Sequence, residues 1–139
     1  MKLYRGEINV KTYGEGDLVD LNGKLEEQVK KSGVREGIVH VFVVGSTAAL
    51  TTIEYEEGLK EDLFNILERI APRDIDYKHH LRWGDYNGHS HVRASIIGPS
   101  ISIPIGDGKL LLGTWQQVVL VELDTRPRSR KIITMIIGE

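Results

Sequence analysis

The apolar residues of this chain fall into short β-branched runs cut by Gly, Pro and Asp, with only two stretches of helical periodicity among them. That order restricts the fold more than any other feature. Leu3 to Val10 alternates as a strand does, Ile38 to Val44 is nearly continuous and β-branched, and a second run after Gly45-Ser46 reaches Thr51, Thr52 and Ile53. From Ser90 onward the pattern predicts β structure almost throughout. The expected strands there are Val92 to Ile97, Ile101 to Ile105, Leu110 to Gly113, Gln116 to Leu123 and Lys131 to Ile137, with a hairpin at Gly106-Asp107-Gly108.

Leu21, Leu25 and Val29 recur at four-residue spacing before Gly33, and Leu59, Leu63, Ile66, Leu67 and Ile70 trace one face before Pro72. These are the two expected helices. Helices inserted among mostly hairpin-connected strands predict an α+β fold: a mostly antiparallel or mixed, barrel-like sheet with two main helices on one side. Residues 1–139 show no internal repeat or linker and are expected to form one domain. A doubly wound fold is disfavoured, since strands and helices do not alternate and no Gly-rich phosphate fingerprint opens a helix.

Composition narrows the function. A formal charge of -2, from 18 Lys+Arg against 20 Asp+Glu, provides no overall field toward nucleic acid or an anionic membrane. With no Cys, thiolate chemistry is excluded and any zinc must use His and carboxylates. The charged N-terminus and the lack of a run near the ~20 apolar residues of a membrane span predict a cytoplasmic protein.

Four of the five histidines, His79, His80, His89 and His91, lie within thirteen positions, beside an irregular polar segment from Asp74 to Asn87. If a strand begins by His89, the His89-x-His91 spacing puts both imidazoles on one face, with Arg93 in the same row. Such a dyad suits a metal, with His79, His80, Asp85 or Glu54 as further donors and an open position for water or ligand. Exposed loop histidines, one of them bonded to a neighbour, are the competing reading of the same residues. In Gly45-Ser46-Thr47-Ala48-Ala49, the hydroxyls of Ser46 and Thr47 and the backbone amides suit an anion, or the segment is a plain corner between strands. His40, in an apolar strand, is expected to be structural.

Taken in order, Gly45-Ser46-Thr47-Ala48-Ala49-Leu50, Glu54, Ala71-Pro72, Tyr77-Lys78-His79, Asn87-Gly88-His89-Ser90-His91, Gly98-Pro99-Ser100, Gly113-Thr114-Trp115-Gln116, Arg128-Ser129-Arg130 and Gly138-Glu139 closely resemble the YjbQ-like family, also called the secondary thiamine-phosphate synthase family. The resemblance runs over essentially the whole chain. It implies a small α+β fold with a barrel-like sheet, a homotrimer, and a transferase joining a pyrimidine diphosphate to a thiazole phosphate with release of pyrophosphate. Competing functions are a metal-assisted hydrolase and a non-catalytic trimer that binds a metabolite or metal.

His79, His91, Glu54 and Gln116 match family positions, which implies His79, His91 and Glu54 as the catalytic set. Ser46, Thr47, Arg93 and Gln116 are then expected to hold a small phosphorylated metabolite. His79, His89 and His91 are the expected ligands of a divalent metal, Mg or Zn, and no organic cofactor is expected. Many members have His where this chain has Gly45, so a role for that histidine does not carry over.

Overall fold

The structure, a computed structural model, describes residues 1–139, except for the side chain of Trp83. Its strands are β1 (Lys2–Lys11), β2 (Leu18–Asp20), β3 (Gly37–Val44), β4 (Ala48–Ile53), β5 (Ser100–Gly106), β6 (Lys109–Leu110), β7 (Gln117–Glu122) and β8 (Ser129–Gly138). The helices are α1 (Asn22–Ser32), α2 (Glu57–Ile70), α3 (Lys78–Trp83) and α4 (Gly88–Ile97). The strands form a five-stranded sheet of order β1-β8-β3-β5-β6 and a three-stranded sheet of order β2-β7-β4, with every pairing antiparallel. The sheet curls into a half-barrel, so the expected α+β class with an antiparallel, barrel-like sheet is what the chain adopts.

β7 is the centre of the packing. Val118 and Leu120 join one core with Val39, Val41, Ile132, Ile136 and the α1 stripe of Leu21, Leu25 and Val29. Val119 and Val121, which alternate onto the other face, join a second core with Leu67 of α2 and Ala94 of α4. Burial on both faces explains the unbroken apolar run of this strand. The two long helices therefore pack on different cores, α1 on the first and α2 on the second, rather than together on one side.

The segment after Ser90 departs from expectation. Val92 to Ile97 is not a strand but most of α4, whose buried residues are Gly88, His89, Ser90, Arg93 and Ala94. Ser90, Arg93 and Ala94 recur at helical spacing, but two of the three are polar, so the stripe carries no hydrophobic signal while Val92, Ile96 and Ile97 suggest β structure. Gly98, at φ 104, ends the helix and delivers Pro99 to β5. The hairpin at 106–108 holds: Asp107 and Gly108 both take positive φ, 51 and 74, as a tight turn between β5 and β6 demands. Within Asp74 to Asn87 the structure adds the short helix α3. No described helix is long and apolar enough to cross a membrane.

Candidate functional site

α3 and α4 bring two histidines together. The rings of His79 and His91 lie 4.4 Å apart between centroids, tilted by 39°. Asp85 Oδ1 is 3.5 Å from His79 Nδ1, an ion-pair distance that is long for a hydrogen bond, and this buried nitrogen makes no hydrogen bond. Burial pushes the His91 imidazole below its usual 6.5, and His79 pushes in the same direction, against an opposing pull from Asp124 and Asp85. His91 is accordingly a neutral imidazole at pH 7, competent as a base.

The floor beneath the pair is a ladder of matched charges at the junction of β7 and β8. Asp124, 1% exposed, accepts from Thr47 Oγ1 at 3.0 Å, the Thr125 backbone amide at 2.7 Å and Arg128 Nε at 2.8 Å. Burial alone would raise its pKa, but the bonds from Arg128, Thr125 and Thr47 outweigh that and lower it to about 2. Glu122, 0% exposed, accepts from Thr12 Oγ1 at 2.7 Å and from Arg130 through Nε at 2.8 Å and Nη2 at 2.5 Å. Asn87 stands between the two acids above, one end of its amide 3.4 Å from Asp124 Oδ1 and the other 3.1 Å from Asp85 Oδ1. Its nitrogen serves one carboxylate at a time, and the shorter contact assigns it to Asp85.

The remaining expected site residues go elsewhere. His89 and His91, two positions apart on a helix, are about 200° apart around its axis rather than on one face. His89 is fully buried with Nε2 2.5 Å from Glu15 Oε1, and its Nδ1 has no partner. Arg93, four positions on, shares the His89 side: it donates from Nε to the Ala71 carbonyl at 3.0 Å and from Nη2 to Glu68 at 2.7 Å, closing the C-terminal end of α2. Its Nε and Nη2 are thus committed to the fold rather than to the histidine pair.

Glu54 and Gln116 do meet, but in a hollow of their own with Thr52, Ile53, Gly113, Thr114 and Trp115. Gln116 is spent on that turn, donating to Thr52 Oγ1 at 3.1 Å and accepting from the Gly113 amide at 3.0 Å. Ser46 is exposed on its corner, while Thr47 is buried in the ladder, where Arg130 donates to both its carbonyl and its hydroxyl. Of the expected catalytic set of His79, His91 and Glu54, only His79 and His91 come together. The three expected metal ligands do not come together, and among the described residues no three His, Asp or Glu side chains are placed to hold a metal ion. A metal does not fit this arrangement as it stands.

Asp124 and Arg128 are the residues that sequence reasoning missed. The signal was present: a carboxylate directly after the buried run Val118 to Leu123, with an arginine four positions on. Beside the histidines opens a cleft of ≈ 610 Å³, lined by Arg73, Asp74, Asp76, His80, Asp85 and Tyr86 among others. His80 stacks on Tyr86 at 4.8 Å and lies 3.3 Å from Asp76. Three carboxylates face one guanidinium there, and Arg73 is itself 3.4 Å from Glu15.

Comparison with known proteins agrees with the fold. Residues 6–139 match the family model described as UPF0047 protein YjbQ-like. A UPF0047 protein of Methanothermobacter thermautotrophicus is 35% identical over 100% of this chain and 95% of its own. A crystal structure from Sulfolobus solfataricus, described as a YbjQ-like protein of unknown function, superimposes with a TM-score of 0.92 at 38% identity, covering 99% of each chain. A hypothetical protein from Aeropyrum pernix gives 0.88 at 34%, covering 98% of this chain and 99% of that one. These relatives are named only by family or as being of unknown function, and none carries a thiamine-phosphate synthase assignment, so the transferase expected from the resemblance is withdrawn. The chain belongs to the UPF0047 (YjbQ-like) family.

Proposed function

We propose that this protein is an acid–base enzyme for a small polar metabolite, working as a homotrimer, with His91 as the proton acceptor. The observation that carries the reading is the contact of two imidazoles, His91 being held neutral by burial and by His79. Two imidazolium ions at this separation repel, so the pair favours at most one proton, the condition for passing a proton between a ligand and the protein. Asp85 stands at His79 Nδ1 and needs only a small approach to fix the His79 tautomer, leaving Nε2 for the ligand. The adjoining cleft, with three carboxylates against one guanidinium, favours the amino or hydroxyl end of a ligand over an anionic one.

The assembly is supported by the outer face of the five-stranded sheet, where Ile38, Phe42, Val44 and Ile137 are all at least 39% exposed. Exposed apolar side chains on a central strand and its neighbour, interrupted on that face by His40, suit a surface that a second copy covers. Light scattering of the wild type and of Phe42→Lys tests it: a trimer that dissociates in the variant is expected, and a monomeric wild type removes the claim.

The chemistry is tested by incubating the protein with a panel of small amino, hydroxy and keto metabolites in D₂O and following consumption and deuterium incorporation by NMR. Wild type is expected to process at least one compound and His91→Gln to do so about a hundredfold or more slowly. Equal rates in the two proteins, or a His91 imidazole that titrates at or above 6.5, would overturn the assignment.

A further inference from the structure

We propose that the β1–β8 end of the five-stranded sheet carries a separate site for a small phosphate-bearing anion, held by Lys11, Lys131, Ser129 and Asn9. This inference is independent of the proton-transfer reading, and the ligand group it takes is the one that the acidic cleft beside the histidines disfavours.

The register builds it. Lys11 faces Ser129 and Asn9 faces Lys131 across the ladder, so the four side chains share one face of the sheet and the two lysines are diagonal neighbours. Val10 and Arg130, paired between them, turn their buried side chains to the opposite face and leave backbone as the floor. The result is a hollow of ≈ 320 Å³ lined by these six residues and Lys131's neighbours on no other strand. It is a size that a phosphoryl group enters with room for the atoms that carry it.

The charge is only weakly compensated, by one exposed carboxylate. No hydrogen bond or ion pair joins the side chains of Lys11, Asn9 or Ser129 to another described residue, and Lys131 reaches only Glu7, at 3.9 Å with both side chains about half exposed. A pair of that kind contributes little. The buried acids of the ladder, Glu122 and Asp124, are already matched by Arg130 and Arg128, so they do not cancel the lysines. Diagonal ammonium groups repel one another unless an anion lies between them. A hydroxyl and a carboxamide beside them supply the further donors that a phosphate oxygen accepts, in a protein whose net charge of -2 gives no general reason to attract anions.

The test records backbone amide shifts while inorganic phosphate, and separately glycerol phosphate, is added at constant ionic strength set with chloride. Shifts at residues 9–11 and 129–131 are expected, with affinity reduced about tenfold or more by Lys11→Gln or Lys131→Gln and unchanged by Lys24→Gln on α1. Tighter binding of glycerol phosphate identifies a phosphate ester as the ligand, and equal binding identifies free phosphate. Both lysines are exposed, so the variants are expected to fold as the wild type does. The proposal is overturned if no shift occurs at these strands, if shifts are confined to residues 79–91, or if Lys24→Gln weakens binding as much as the other two. A shift at the histidines alone would also count against their acidic cleft, whereas loss of the lysine site leaves the proton-transfer reading intact.

Discussion

The ladder at the β7–β8 junction and the histidine segment above it are built from the same kinds of side chain, yet they differ in how completely those side chains are satisfied. In the ladder, Glu122 and Asp124 are each met by an arginine and a threonine at hydrogen-bond distance. In the segment from α3 to α4, the buried Nδ1 atoms of His79 and His89 and the Ser90 hydroxyl have no partner. A fully matched buried network holds a structure in one arrangement, while buried polar atoms without partners cost free energy that a structural role does not justify. The first region positions; the second keeps hydrogen-bonding capacity unspent around the paired histidines.

The largest test of this contrast lies in the ladder. Arg130→Met leaves Glu122 fully buried without its cation and is expected to destabilise the fold by about 3–5 kcal/mol in urea unfolding, whereas Arg130→Met combined with Glu122→Met should recover most of the loss. If the single variant costs under about 1 kcal/mol, the ladder is not the rigid floor described here.

Acid should reach the ladder next. Asp124 has a folded pKa of about 2 against an ordinary 3.8, so its contribution is present above 3.8 and is lost as pH falls from 3.8 to about 2. The shift corresponds to about 2 kcal/mol, measurable as a fall in unfolding free energy over that window that Asp124→Asn abolishes.

The histidine segment should respond at higher pH and more weakly. The folded pKa of His91 is depressed, so the folded state binds fewer protons than the unfolded chain once pH drops below 6.5; stability from this group is complete above 6.5 and declines as pH falls toward the folded value. Removing His79 takes away one of the causes, so in His79→Ala the His91 imidazole, followed by NMR, is expected to titrate closer to 6.5. No change in the variant would mean that burial alone sets the base.

Most of the fold was legible because its elements bury one type of residue at one period. β3 and β8 read as near-continuous β-branched runs, and α2 shows its stripe through Leu67 even though Ile66 and Ile70 remain more than half exposed. What failed was α4, and a single error of period reassigned the site. On a strand, His89, His91 and Arg93 share a face; on the helix, His89 and Arg93 share one and His91 is alone with His79. The pairing of His89 with Glu15 spans 74 residues and that of Arg93 with Glu68 spans 25, so no local pattern announces either. His40, expected to be structural, is not buried, for a related reason: β3 is buried on one face only, and His40 is on the other, exposed and 2.8 Å from Ser102 Oγ. An apolar run does not say which of its faces meets solvent when both are apolar.

β1 has one neighbour among the described strands, and that neighbour is β8. Ten consecutive residue pairs, from Lys2 with Gly138 to Lys11 with Ser129, join the first strand of the chain to the last. During synthesis the ribosome therefore releases β1 more than a hundred residues ahead of its one partner among the described strands, about ten seconds at ordinary elongation rates. Loop closure over such a span is slow, and until it happens an alternating apolar strand is available to any other nascent chain nearby. For this protein, the arrival of β8 decides whether β1 is safe.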